Sequence, residues 1–282
     1  MTSITVTPCN GPGAEIGNVD LAQPIDDADF DAIRQAFADH GLIFFRDQTI
    51  TPDQHIAFAE RWGDINVNRF FTPVDGYPEI AEVRKEPDQT TNIGGGWHTD
   101  HSYDAEPAMG SILVARELPP EGGDTMFADM AAAYDALDED TKATLDGLEA
   151  IHSSKHIFGG EAAYRSESDA GERLHNADAA DALDDVVHPV VITHPLSGRK
   201  ILYVNAAFTV RIKGWSKEDS MKLLMPLYAH AMQDRFVTRF EWKPGSIAFW
   251  DNRATWHYAL NDYQGERRLM HRITLEGCAL AA

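Results

Sequence analysis

Cysteine is scarce: Cys9 and Cys278 are the only two in 282 residues, one near each end. A disulfide framework and a thiolate metal site are therefore not expected. Positive charge is also short. Lys and Arg number 24 against 45 Asp and Glu, a formal charge of −21. A surface of that sign repels nucleic acid and anionic membrane, so neither is an expected partner. Long apolar runs are missing. Leu42-Ile43-Phe44-Phe45 is strand-sized, far below the roughly 20 residues that span a bilayer. The opening Met1-Thr2-Ser3-Ile4-Thr5-Val6 lacks the basic and apolar segments of a secretory signal. The expectation is a soluble cytoplasmic protein. No repeat or low-complexity tract stands out, and 43% hydrophobic residues suffice for one large core, so a single domain over residues 1–282 is expected.

What is present reads as strands with helices around them. Asp26–His40 has Asp at its start, Phe30, Ile33 and Phe37 on one face and Gly41 at its end, which predicts a helix. Thr51-Pro52 opens a second helix, with Ile56 and Trp62 on its buried side and Gly63 as its stop. Candidate strands are Leu42–Phe45, Gly110–Ala115, Val190–Thr193, Ile201–Val204, Ser246–Trp250 and Leu269–Leu275. Ala128–Ile151 reads as one helical stretch and Ser216–Met232 as another, capped by Ser216. Residues 159–185 are polar, acidic and aperiodic, the pattern of a lid or surface insertion. The fold class is mainly β with peripheral α-helices, a barrel or a double-sheet jelly roll.

Two constellations carry chemistry. In Trp97-His98-Thr99-Asp100, an extended backbone puts His98 and Asp100 on one face and turns Thr99 and His101 away. An imidazole and a carboxylate are two-thirds of a facial triad for Fe(II), and His257, between two apolar strands, is the best third ligand. By itself His-x-Asp is a weak pattern and more often marks an ordinary surface pair than a metal site. The second constellation is Arg267-Arg268-Leu269-Met270-His271-Arg272. Alternation puts Arg268 and Arg272 on one face, which suggests two guanidinium groups about 7 Å apart. They could hold two carboxylates or one extended dianion, or simply form a solvated basic edge strand.

Together these residues resemble the taurine dioxygenase and 2,4-dichlorophenoxyacetate dioxygenase (TauD/TfdA) family. The likeness runs through Gly13–Leu21, His40–Gln48, Trp97–Asp100, Gly122–Thr125, Tyr203–Asn205, Trp250–Arg253 and the final arginine strand. It implies a double-stranded β-helix, or jelly roll, and an Fe(II)- and 2-oxoglutarate-dependent dioxygenase. Such an enzyme uses O2 to convert 2-oxoglutarate to succinate and CO2 while it hydroxylates a substrate. A hydroxylated carbon bearing a sulfonate or aryloxy group then collapses. His98, Asp100 and His257 match the iron ligands and catalytic centre. Arg268 and Thr125 match the residues that hold the distal carboxylate of 2-oxoglutarate, and Arg272 matches an arginine for an anionic substrate head. A homo-oligomer, dimer or tetramer, is the expected assembly.

The substrate pocket departs from the taurine enzyme. Asn68 stands where that enzyme has a histidine for the sulfonate, and Phe71 where it has a tyrosine. Gly94-Gly95-Gly96 replaces a polar run that helps hold the amine, while Phe158 and Phe208 are retained as aromatic walls. Phe70 reads as core. The expected substrate is a small organic anion other than taurine: an alkyl or aryl sulfonate, a sulfate ester or an aryloxyalkanoate. Taurine itself and a non-catalytic ligand-binding jelly roll are the alternatives. A halogenase is disfavoured because Asp100 occupies the position that a halide would need.

Overall fold

Leu42–Phe45 is apolar at every position because both its faces are buried. Leu42 and Phe44 pack inward with Leu113, Phe127, Phe240, Trp250 and Met270. Ile43 and Phe45 face the other way, with Ile112, Val114, Phe249 and Ile273, onto helical residues Phe30, Ile33, Phe37 and Phe58. The two patterns define a jelly roll whose larger sheet is filled on one side by the smaller sheet and covered on the other by helices. The structure, a computed structural model, describes residues 3–162, 169 and 173–282.

Among the described residues the larger sheet has nine strands. Its central order is Leu42–Phe45, Ile247–Asp251, Gly110–Glu117, Arg268–Leu275 and Tyr77–Lys85, each antiparallel to its neighbour. Arg268–Leu275 is thus an interior strand, not a solvated edge. Facing it, Val237–Phe240, Thr125–Asp129 and Thr255–Ala259 form a three-stranded sheet. Among the described residues, no helix is long and apolar enough to cross a membrane.

The predicted helices at Asp27–His40 and Lys217–Ala231 form within a residue or so of expectation, capped by Asp26 and Ser216. Thr51 and Gln54 make a capping box, but this helix ends at Glu60, short of Trp62 and Gly63. Its buried residues are His55, Phe58 and Ala59. The single helix expected over Ala128–Ile151 is instead two, Met130–Asp135 and Glu139–Leu145, followed by the strand Glu149–His152. The cause is local. Asp129 and Asp138 each cap a new helix through their carboxylates, and Gly147 turns the chain at φ 69°. Tyr77–Lys85 escaped notice because its polar and charged side chains interrupt the apolar alternation.

The described part of 159–185 is less polar in role than the composition of the segment suggests. Leu174 and Ala180 are buried with Phe70, Phe71, Phe158 and Phe208, and Ala177–Ala182 is helical. Residues 163–168 and 170–172, on which the lid reading also falls, lie outside the described residues.

On the helix-covered side of the sheet, His55 is fully buried, and burial, then Arg116 and His271, push its pKa down to about 3. Its unfolded value is near 6.5. Between these values the unfolded chain holds the extra proton, so stability falls as pH drops from 6.5 towards 3. The limiting slope is about 1.4 kcal/mol per pH unit for this one group. Urea unfolding at pH 7 and pH 5 should show a smaller acid loss for His55→Leu than for the wild type. Equal losses would contradict a neutral His55 in the fold.

Candidate metal centre and anion pocket

His98 and His257 are 159 positions apart and meet through a two-hydrogen-bond bridge. His98 N–H donates to the His257 carbonyl at 3.1 Å, and His257 N–H to the His98 carbonyl at 2.8 Å. Their rings lie 4.0 Å apart. His257 rides on Thr255–Ala259, opposite Phe127. Asp100 follows in a turn, anchored where the Thr99 hydroxyl donates to the Asn252 carbonyl. Asp100 Oδ1 is 3.6 Å from His98 Nε2, and Oδ2 is 3.8 Å from His257 Nε2. One donor atom from each residue falls within 4.8 Å of the others.

The donor set fits a divalent cation such as Fe(II): two imidazoles and a carboxylate converging without direct short contact. His98 Nδ1 lies 2.7 Å from the Gly96 carbonyl. That oxygen can only accept, so Nδ1 carries the proton and Nε2 keeps its lone pair for a metal. Burial, then His98, keep His257 well below its usual pKa, hence neutral. Burial opposes ionisation of Asp100, but Arg272, His257 and His98 together outweigh it and hold the carboxyl well below its ordinary range. The hairpin that delivers His257 is itself braced. Asp251 accepts from Arg253 Nε and Nη2 at 2.9 and 2.6 Å and faces His194 Nε2 at 3.0 Å.

A cavity of about 580 Å³ opens on the three residues. At one end Arg268 is 4% exposed, and its Nε and Nη2 have no hydrogen-bond partner among the described residues. Thr125 lines the same cavity. Gly123, at φ +72°, lets the backbone pass where a Cβ would sit 3.2 Å from Arg268 Cδ and Nε. A buried guanidinium with free N–H groups beside a hydroxyl is the donor set that a carboxylate satisfies bidentately.

At the other end Arg272 Nη1 is 3.0 Å from Asp100 Oδ2, and its guanidinium lies 4.5 Å from the Phe71 ring centroid. Its Nε is buried and has no hydrogen-bond partner among the described residues. The 7 Å expectation for the two arginines fails. Residues 268 and 272 are four apart, two strand repeats, so their Cα atoms are separated by roughly 13 Å. That distance suits two ligands better than one small dianion.

Phe71, Phe158 and Phe208 line the cavity, and Gly94, Gly95 and Gly96 form part of its wall. Phe70 is buried and stacks on Phe158 at 4.5 Å. Asn68 does not line the cavity. Its Oδ1 accepts from the Phe70 and Phe71 amides at 2.9 and 3.1 Å, so it shapes the turn that presents Phe71. His101 does not turn away from the site. The chain turns after Asp100, with His101 at φ 59°, so strand alternation lapses and the ring borders the cavity. Tyr103 was missed. It is 4% exposed, lines the cavity among Phe70, Phe158 and Phe208, and forms no hydrogen bond through its hydroxyl to any described residue. A tyrosine in a turn carries no periodic signal that would have marked it.

Comparison with known proteins converges on the same chemistry. An alpha-ketoglutarate-dependent sulfate ester dioxygenase of Pseudomonas putida is 36% identical over 267 residues, covering 94% of this chain and 86% of that protein. An alpha-ketoglutarate-dependent 2,4-dichlorophenoxyacetate dioxygenase of Burkholderia sp. (strain RASC) is 32% identical, covering 93% and 91%. The crystal structure of AAD-2 in complex with Mn(II) and N-oxalylglycine superposes with a TM-score of 0.80 at 29% identity, over 100% of both chains. The profile of "Taurine catabolism dioxygenase TauD, TfdA family" matches residues 5–274. With the fold, the His-Asp-His cluster and these matches in agreement, the chain belongs to the TauD, TfdA family of dioxygenases.

Proposed function

We propose that this chain is an Fe(II)- and 2-oxoglutarate-dependent dioxygenase that hydroxylates a small, amine-free organic anion. Alkyl or aryl sulfonates, sulfate esters and aryloxyalkanoates are the candidate substrates. Succinate and CO2 are released, and the hydroxylated product collapses to a carbonyl compound and the free anion. His98, Asp100 and His257 would hold the iron, and Arg268 with Thr125 the distal carboxylate of 2-oxoglutarate. Bound iron supplies the redox chemistry that couples O2 reduction to decarboxylation of 2-oxoglutarate and hydroxylation of a C–H bond.

The chain's own part is positioning and exclusion of water. Arg272, which lines the cavity beside the Phe71 ring and whose Nε has no hydrogen-bond partner among the described residues, would orient the substrate anion. Phe71, Phe158 and Phe208 would enclose its apolar tail. The described part of 159–185 packs on those same phenylalanines through Leu174 and Ala180, which supports its reading as a lid within a single domain. A cytoplasmic homo-oligomer, dimer or tetramer, completes the proposal and is tested by light scattering.

The observation that carries the substrate class is charge. Among the described lining residues, the one carboxylate is Asp100, already paired with Arg272. Burying an ammonium group there without a partner would cost several kcal/mol. Taurine is therefore expected to have a kcat/KM at least about 100-fold below that of the best amine-free anion, a ratio equivalent to roughly 3 kcal/mol. Oxygen uptake across a panel of sulfonates, sulfate esters and aryloxy acids measures this. A taurine value equal to the best of the panel would sink the assignment. A jelly roll that only binds ligands would show no succinate formation at all.

A further inference from the structure

Trp242 lies behind the cavity wall rather than on it, in Phe240-Glu241-Trp242-Lys243-Pro244-Gly245, outside the motifs that mark the site. Its Nε1–H donates to the Thr125 hydroxyl at 3.0 Å. Its ring centroid is 5.7 Å from the Arg268 guanidinium carbon. We propose that Trp242 is a positioning residue for the dianionic co-substrate, setting the Thr125 hydroxyl as a hydrogen-bond donor and backing the Arg268 guanidinium. The proposal rests on the reading that Thr125 and Arg268 hold the distal carboxylate.

An indole N–H can only donate, whereas a threonine hydroxyl can donate once and accept. With one lone pair already taken by the Trp242 N–H, the hydroxyl proton is turned away from the indole and is free to be donated into the cavity. No described residue accepts that proton, and Thr125 is 2% exposed on the cavity wall. Without the indole, the hydroxyl could rotate to accept from a neighbouring cation instead. With it, the hydroxyl and Arg268 are both donors, a pairing that favours an ionised carboxylate. The indole also polarises the hydroxyl it feeds, which strengthens the outgoing bond.

The ring is held firmly enough to do this. Trp242 is 7% exposed. It meets Phe240 edge-on at 4.8 Å, and Phe240 stacks on Phe44 of the larger sheet at 4.0 Å. The orientation of one hydroxyl is thus set from the sandwich core.

The test uses protein loaded with Mn(II) and N-oxalylglycine as the probe, with the dissociation constant read by calorimetry. Trp242→Phe keeps the ring and removes the N–H. It should weaken the probe about three- to tenfold, the range of one hydrogen bond. In a Thr125→Val background the same change should have no further effect, because the indole acts through the hydroxyl. Wild-type affinity in Trp242→Phe, or a full additional loss in the double variant, would overturn the proposal. If Thr125→Val and Arg268→Ala also bind the probe as the wild type does, the carboxylate assignment is wrong and this inference falls with it. Should Trp242→Phe fail to fold, the unsubstituted tryptophan gives the answer by ¹⁵N NMR. The indole N–H signal displaced by Thr125→Val must move when N-oxalylglycine is added, and an immobile signal overturns the proposal.

Discussion

Replacing His257 with alanine is expected to abolish 2-oxoglutarate turnover and to weaken divalent-metal binding by far more than the roughly 10–100-fold that loss of a supporting hydrogen-bond partner costs. The same holds for His98→Ala and Asp100→Ala. The reason is geometric. The His98–His257 bridge sets the two rings against each other, and Asp100 closes the set with both oxygens within 4 Å of an imidazole nitrogen. No other group of three His, Cys, Asp or Glu with converging ligand atoms occurs among the described residues, so nothing is placed to substitute. Equilibrium dialysis with Fe(II) under anaerobic conditions, paired with succinate assays, measures both effects. Wild-type metal affinity in His257→Ala would mean that the assignment of the third ligand is wrong.

The two arginines should separate cleanly. Arg268→Ala is expected to raise the KM for 2-oxoglutarate by about 30-fold to several thousand-fold, the equivalent of roughly 2–5 kcal/mol for a buried charged pair. Arg272→Ala should raise the KM for the primary substrate and change N-oxalylglycine affinity by less than about threefold. It should also lower kcat, because Arg272 is the closest cation to Asp100, at 3.0 Å. The spacing of two strand repeats between them is what makes the division sharp. Equal loss of 2-oxoglutarate affinity in both variants would show that the pair clamps one dianion.

Much of the fold was legible because its strands obey simple alternation. Ile43 and Phe45 against Leu42 and Phe44 divide the two cores by parity alone, and Asp26, Thr51 and Ser216 announce their helices. The readings failed where a short polar residue overrode composition. Asp129 and Asp138 split one apparent helix into two, and Asn68 uses its carboxamide on its own turn instead of facing a ligand. In the site, the metal cluster was legible as a motif, but its third member was named on strand context and resemblance. A bridge between positions 98 and 257 leaves no local trace. Tyr103, His101 and Trp242 could not be read for the same reason. A turn at φ 59° and a hydrogen bond across 117 positions are properties of the folded chain.

The most direct test of the enzyme proposed here is a balance sheet for one reaction mixture. Protein, Fe(II), 2-oxoglutarate and a linear alkyl sulfate would be combined, and O2 uptake, succinate and free sulfate followed together. Wherever the sulfate ester is turned over, equal amounts of all three are expected, and no sulfate when either O2 or 2-oxoglutarate is withheld. Sulfate released without O2 or 2-oxoglutarate would identify a hydrolase, and no coupled turnover with any sulfonate, sulfate ester or aryloxy acid would contradict the proposed function.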